Sequence, residues 1–290
     1  MVITNSLVVF YTNICNIACE HCYLKQMINI KKCHMSSELL KYLIDYSEGI
    51  NIEQIILTGG EPILFIDEIK DCLSFRNRKI KLSICTNCYW GENYESRRDM
   101  ISKLLDVGVD RLEISTDIYH QKYISLNETI IPTVKMLNEY GIKVLITICF
   151  ENIYEIYETY RQLIRVVSSN QIICRRVSSL DTKFKRQSIE NIKTGICDSI
   201  NDVLVNYFGD VYGCCGPCIL SKDNPLYLGN LSEITMDEIM SKRKNNLFIE
   251  NLQKNCLGNI CNNINIDELY HKGLINNICD LCFIYFEQRR

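Results

Sequence analysis

Three cysteines stand close together early in the chain, in Cys15-Asn16-Ile17-Ala18-Cys19-Glu20-His21-Cys22, directly after the apolar run Ser6-Leu7-Val8-Val9-Phe10-Tyr11. Three thiolates at this spacing can hold a metal cluster. A four-iron cluster takes four ligands, so three cysteines leave one iron open to a small molecule. Other polar knots follow: Gly59-Gly60-Glu61-Pro62, Thr86-Asn87-Cys88 and Ser115-Thr116-Asp117. In the first, glycines let backbone approach a ligand closely, Glu61 offers an anionic acceptor for an ammonium group, and Pro62 fixes the exit from the loop. Taken alone, it also reads as a tight turn with a solvated glutamate. Ser115 and Asp117 read equally as a helix cap.

The elements that must position these groups are legible as alternation. Strand-like runs occur at Leu7–Tyr11, Gln54–Thr58, Lys81–Thr86, Arg111–Ser115, Lys143–Cys149 and Ile172–Arg176, each short and rich in Ile, Leu and Val. Between them lie helical patterns such as Ser37–Glu48, with Ser36 as N-cap, and Glu128–Tyr140, which stops at Gly141. Six βα units in a row predict an α/β fold with a parallel sheet, either open and doubly wound or an incomplete barrel. In both, ligands bind at the carboxyl ends of the strands. All four polar knots fall at that one rim.

Composition narrows the setting. The 290 residues include 17 cysteines, with 47% hydrophobic and 23% charged residues and a formal net charge of −3. That charge gives no electrostatic case for a nucleic-acid partner. No secretory signal and no membrane-spanning run is evident, so a cytoplasmic location and no membrane partner are expected. There, thiols stay reduced and read as metal or catalytic ligands before they read as disulfides, although isolated ones such as Cys33, Cys72, Cys149 and Cys174 also suit plain burial.

Cys15-x3-Cys19-x2-Cys22 after strand one, with Gly59-Gly60-Glu61-Pro62 after strand two, resembles the radical S-adenosylmethionine (radical SAM) superfamily over roughly residues 6 to 180. The resemblance implies a partial (β/α)6 TIM-like barrel. It also implies that Cys15, Cys19 and Cys22 hold a 4Fe-4S cluster whose fourth iron is chelated by S-adenosylmethionine. His21 would pack near the adenine, the Gly59–Pro62 segment would meet the methionine amino group, and Ser115 and Asp117 would contact ribose or carboxylate. One departure stands out. Thr-Asn-Gly is frequent at the end of strand three, whereas Thr86-Asn87-Cys88 places a thiol there, to line the cavity or to be buried. The Asp117–Tyr123 segment could bring His120 and Tyr123 toward substrate, or simply pack them.

After residue 180 the alternation stops, and eight of the 17 cysteines lie beyond residue 190. The predicted division is a core at 1–180 and a small cysteine-rich domain at 181–290. The stretch through Val203-Leu204-Val205 to Gly209-Asp210 reads as a hairpin, and a helix is expected near Met236–Lys242. Cys197, Gly209, Cys214, the Leu228-Gly229-Asn230 segment and Cys279-Asp280-Leu281-Cys282 are similar to SPASM and twitch auxiliary-cluster extensions, with the twitch form the better match. That resemblance makes Cys197, Cys214, Cys279 and Cys282 ligands of a second 4Fe-4S cluster; structural zinc is the competing occupant. Cys215, Cys218, Cys256 and Cys261 are left over. Cys215, beside Pro217, is the candidate hydrogen-atom donor.

By resemblance, one-electron cleavage of S-adenosylmethionine yields a 5′-deoxyadenosyl radical that abstracts hydrogen from substrate. An electron donor such as ferredoxin or flavodoxin is implied. A ribosomally made peptide or protein is the expected substrate, changed by epimerisation, thioether formation or carbon–carbon linkage. A small-molecule dehydrogenase acting on a sugar alcohol is the alternative. A zinc-binding interaction protein is the non-enzymatic one.

Overall fold

A computed structural model describes residues 6–22, 24, 31–50, 52–74, 76, 79–150, 153–176, 188–216, 219, 221–275 and 277–287. Six parallel strands come first: β1 (Ser6–Thr12), β2 (Gln54–Gly59), β3 (Lys81–Thr86), β4 (Arg111–Ser115), β5 (Lys143–Phe150) and β6 (Ile172–Arg176). Each pairs with the next in simple sequence order. A doubly wound sheet needs that order to reverse once, whereas right-handed crossovers between sequential neighbours all fall on one face. Strand order therefore selects the barrel type, open because β6 and β9 are its edges.

Crossover helices α1 (Ser37–Gly49), α2 (Ile66–Leu73), α3 (Tyr94–Val107), α4 (Ile131–Glu139) and α5 (Ile153–Leu163) connect the strands. Ser36 caps α1 by accepting the Leu39 N–H, and the helix buries Leu40, Leu43, Ile44 and Ser47, one helical stripe. The helix expected from Glu128 begins as regular α-helix only at Ile131. Pro132 lacks the N–H that would bond back to Glu128, so a wide turn over Leu126–Ile130, capped by Ser125, takes the first part.

The expected hairpin exists, and its placement is new. Strand β7 (Asp202–Asn206) pairs in parallel with the far edge of β1, Ser6 against Asp202 through Phe10 against Asn206. Strands β8 (Asp210–Tyr212) and β9 (Tyr227–Asn230) follow antiparallel, giving the sheet order β6-β5-β4-β3-β2-β1-β7-β8-β9. The buried Asp210 carboxylate pins this end, taking bonds from Lys222 Nζ at 2.6 Å and Asn230 Nδ2 at 2.7 Å. Helices α6 (Ile189–Thr194), α7 (Met236–Lys244), α8 (Leu247–Lys254), α9 (Leu257–Ile260), α10 (Ile266–His271) and α11 (Ile278–Glu287) complete the chain. One continuous core runs from Leu7 to Phe286. The expected boundary at residue 180, with Pro217 and Cys218, lies outside the described residues. No described helix is long and apolar enough to cross a membrane.

Candidate active site

The strand tops converge on a cleft of about 380 Å³, whose walls include Cys15, Cys19, His21, Cys22, Gly59, Gly60, Asn87, Ser115 and His120. That size suits a nucleoside-class ligand. The cysteine loop after β1 is held from two sides. On one, Gly60 N donates to Thr12 O at 2.7 Å and Glu61 N to Ile14 O at 2.8 Å. Gly59 has φ +131°, and a Cβ at Gly60 would lie 2.0 Å from Ile14 O, so only glycines let this loop lie flush against the chain leading into Cys15. On the other side, the segment after β4 clamps the loop: Tyr123 OH donates to Ala18 O at 3.0 Å and Lys122 Nζ lies 2.8 Å from Glu20 Oε1. Tyr123 is thereby committed to the loop.

Burial pushes the Cys19 thiol up to about 12, helped by Cys22, Asp117 and Cys15, and raises Cys15 likewise. Three thiolates crowded in this way need a cationic partner, and an iron–sulfur cluster is one. Asn87, in the middle of the Thr86-Asn87-Cys88 knot, ties the rim together. Its Nδ2 lies 2.9 Å from Asn16 Oδ1 and 3.8 Å from Cys15 Sγ.

Glu61 is placed differently from the expectation of a ligand-facing acceptor. It is fully buried, accepting the Asn87 N–H at 2.7 Å and the Ile63 N–H at 3.2 Å, while Pro62 opens a short 3-10 turn over Pro62–Phe65. It is a strap between the ends of β2 and β3. Burial pushes its carboxyl up to about 7, against those hydrogen bonds. Because the folded value stands above the ordinary 4.5, the folded chain favours the protonated acid. The contribution of Glu61 to stability is full below about pH 4.5 and is lost as pH rises through about 7, by about 3 kcal/mol. Denaturant midpoints of the metal-free protein should fall between pH 5 and 8, and Glu61→Gln should flatten that slope.

Asp117 is also buried. Its Oδ1 accepts the N–H groups of Tyr119 and His120, each at 3.0 Å, and sits 2.9 Å from His120 Nδ1; Oδ2 accepts Cys149 N–H at 3.2 Å. Burial works to raise its pKa, but the His120 bond and the nearby His120 and His21 rings hold it below the usual carboxylate range. It caps the turn after β4, whereas Ser115 and His120 face the cleft.

Cys88 is buried away from the cleft at φ +65°, the left-handed region that glycine occupies without cost. Cys88→Gly should change stability by no more than about 1 kcal/mol, since relieved strain offsets lost packing, while Cys88→Val should cost more than about 3 kcal/mol. Thermal melts of the two variants would check this.

The thiol that does join the cluster cysteines on the cleft wall is Cys85, which the sequence reading did not single out. It sits 3.7 Å from Glu113 Oε2, and Glu113 is paired with Arg111. The signal was available: in Arg111-Leu112-Glu113-Ile114-Ser115 polar and apolar residues alternate, which puts Arg111, Glu113 and Ser115 on one face.

A second, small cavity lies in the C-terminal part. Cys197, Cys214, Cys279 and Cys282 line it together with Gly216, Leu252, Leu257 and Phe286. Gly216 N–H donates to Cys214 Sγ at 3.2 Å. Burial raises the Cys282 thiol well above its ordinary value, with Cys279, Cys197 and Cys261 adding to it, so the fully buried Cys261 stands close by. Cys215 is half-buried against the main core and lines neither cavity; Cys256 lies on a separate groove.

The Radical SAM superfamily profile matches residues 9–167, more than half of the chain. A probable GTP 3′,8-cyclase of Methanocaldococcus jannaschii is 28% identical over 113 residues, 39% of this chain and 36% of its own. L-lysine 2,3-aminomutase of Methanococcus maripaludis is 36% identical over 76 residues, 26% of this chain and 18% of its own. The chain thus spans well under two thirds of these relatives. Among solved structures, anSMEcpe with bound AdoMet shares the fold at TM-score 0.58 and 16% identity, over 83% of this chain and 82% of that one. BtrN in complex with AdoMet and 2-DOIA does so at 0.51 and 13%, over 89% and 90%. Streptococcus suis SuiB bound to precursor peptide SuiA does so at 0.52 and 14%, over 74% and 60%. With its cysteine loop, barrel order and matching profile, the chain belongs to the radical SAM superfamily and is an enzyme of that class.

Proposed function

We propose that this enzyme carries two iron–sulfur centres and modifies a ribosomally made peptide. Cys15, Cys19 and Cys22 would hold the first cluster beside S-adenosylmethionine, and Cys197, Cys214, Cys279 and Cys282 the second. The observation that carries the reading is the convergence of four cysteines, spread from residue 197 to residue 282, on one cavity. Zinc suits them less well. Tetrahedral zinc with bonds of about 2.3 Å sets sulfurs about 3.8 Å apart, and among the described residues no three cysteines bring their sulfurs within 4.8 Å of one another.

When bound, the cluster and S-adenosylmethionine supply one-electron chemistry and hydrogen abstraction. The chain positions and shields. Gly59 and Gly60 present backbone to the ligand, Ser115 and His21 flank it, and Ile17, Ala18 and Leu24 exclude water. The carboxylates of Glu61 and Asp117 act one step back, fixing the loops. If the reaction is an epimerisation, Cys85 is better placed than Cys215 to return hydrogen. A ferredoxin or flavodoxin would supply electrons.

The peptide reading draws on the fold shared with SuiB. A small-molecule dehydrogenase acting on a sugar alcohol is the second reading; the fold is also shared, over nearly the whole chain, with BtrN in complex with AdoMet and the small molecule 2-DOIA. The deciding experiment incubates reconstituted enzyme and reductant anaerobically with a short peptide encoded beside its gene, or with a sugar alcohol. Peptide-dependent 5′-deoxyadenosine with a mass or stereochemical change in the peptide supports the proposal. Turnover with the sugar alcohol alone sinks it.

A further inference from the structure

One more cluster of ligand-type side chains lies behind the cleft wall, and only its histidine lines the cleft. His21 on the cysteine loop, Asp117 beyond β4 and Cys149 on β5 bring a ring nitrogen, a carboxylate oxygen and a sulfur within 4.8 Å of one another. Topology accounts for the meeting. Ser115 pairs with Thr147, so Asp117 and Cys149, two residues further along, stay abreast. The cysteine loop then folds over this corner, with the His21 ring 4.6 Å from Tyr119 and 5.2 Å from His120.

We propose that His21, Asp117 and Cys149 form a mononuclear site for a divalent transition metal of the zinc class, distinct from both cysteine sets. Nitrogen, oxygen and sulfur donors together suit zinc and disfavour magnesium or calcium, which take oxygen ligands. Bonds of about 2.0–2.3 Å place tetrahedral donors about 3.3–3.8 Å apart, so side-chain shifts of under about 1 Å close the site. Asp117 is already oriented for this by His120 and by backbone N–H groups, the kind of outer support that metal-bound carboxylates receive. The site would be reached from the cleft past His21, which lines it, while Asp117 is 1% exposed. Ligation through the edge of the His21 ring leaves its face available to an adenine. On binding, the Cys149 thiol gives its proton to solvent. The ion would brace the cysteine loop against β4 and β5.

The test uses cluster-loaded enzyme exposed to Zn²⁺ and desalted, with zinc and iron measured in the same sample and the zinc environment read by X-ray absorption. The expected result is about one zinc per chain, bound by nitrogen and oxygen with a single sulfur. Cys149→Ala should weaken zinc binding roughly tenfold or more, and His120→Gln less severely, with iron unchanged in both. Negligible zinc in iron-replete protein overturns the proposal. So does an all-sulfur shell, or wild-type zinc in Cys149→Ala. Loss of iron itself would instead count against the cluster assignments, so the two failures are separable.

Discussion

Replacing Cys15, Cys19 and Cys22 together by alanine should lower iron in the anaerobically reconstituted protein from about eight to about four per chain and abolish 5′-deoxyadenosine formation. The reason is geometric. These three line the cleft, while Cys197, Cys214, Cys279 and Cys282 line a different cavity, so loss of one set leaves the other intact. The reciprocal variant, with alanine at those four positions, should also keep about four irons. It should also retain slow cofactor cleavage without substrate. Iron and sulfide assays with chromatography of the nucleoside would read both. Wild-type protein with about four irons would leave the C-terminal cavity without a cluster.

Gly60→Ala should be severely damaging for a single added methyl group. The added carbon would lie 2.0 Å from Ile14 O and 3.1 Å from Cys15 N, both backbone atoms that no rotamer change can move. Displacing them costs about 3 kcal/mol or more and shifts the first cluster ligand. The denaturant midpoint and the iron content should fall together. Gly49→Ala is the natural control, because nothing lies within 4 Å of the added carbon. It should be neutral or slightly stabilising. An iron-replete Gly60→Ala protein of normal stability would refute the buttress role.

The strands were legible because each carries its own signal: Gln54–Thr58 or Lys143–Cys149 shows β-branched density between turn residues, and the structure extends them by one residue at most. Ser36 and Gly141 were equally local cues. What stayed hidden depends on partners distant in sequence. Val203-Leu204-Val205 announces a strand but cannot announce that its neighbour is β1, some two hundred residues earlier. The burial of Glu61 was likewise invisible, since a glutamate between glycine and proline reads as solvated until Asn87 N–H arrives to meet it. Cys88 was half legible. A thiol in a glycine's usual place was read as lining the cavity or being buried, and the structure buries it, with a left-handed backbone that the reading did not anticipate. Cys85 was missed because nothing in Ser83-Ile84-Cys85-Thr86 sets it apart and its role shows only against Glu113 on the next strand.

The parallel pairing of β1 with β7 also sets an order of events during synthesis. Strand β1 carries the cysteine loop, yet one of its edges stays bare until residues 202–206 have left the ribosome. An apolar strand with an open edge invites pairing with other chains. Nascent chains shorter than that are therefore expected to need a chaperone, and iron delivery to the first three cysteines is best timed after the far side of the sheet has closed.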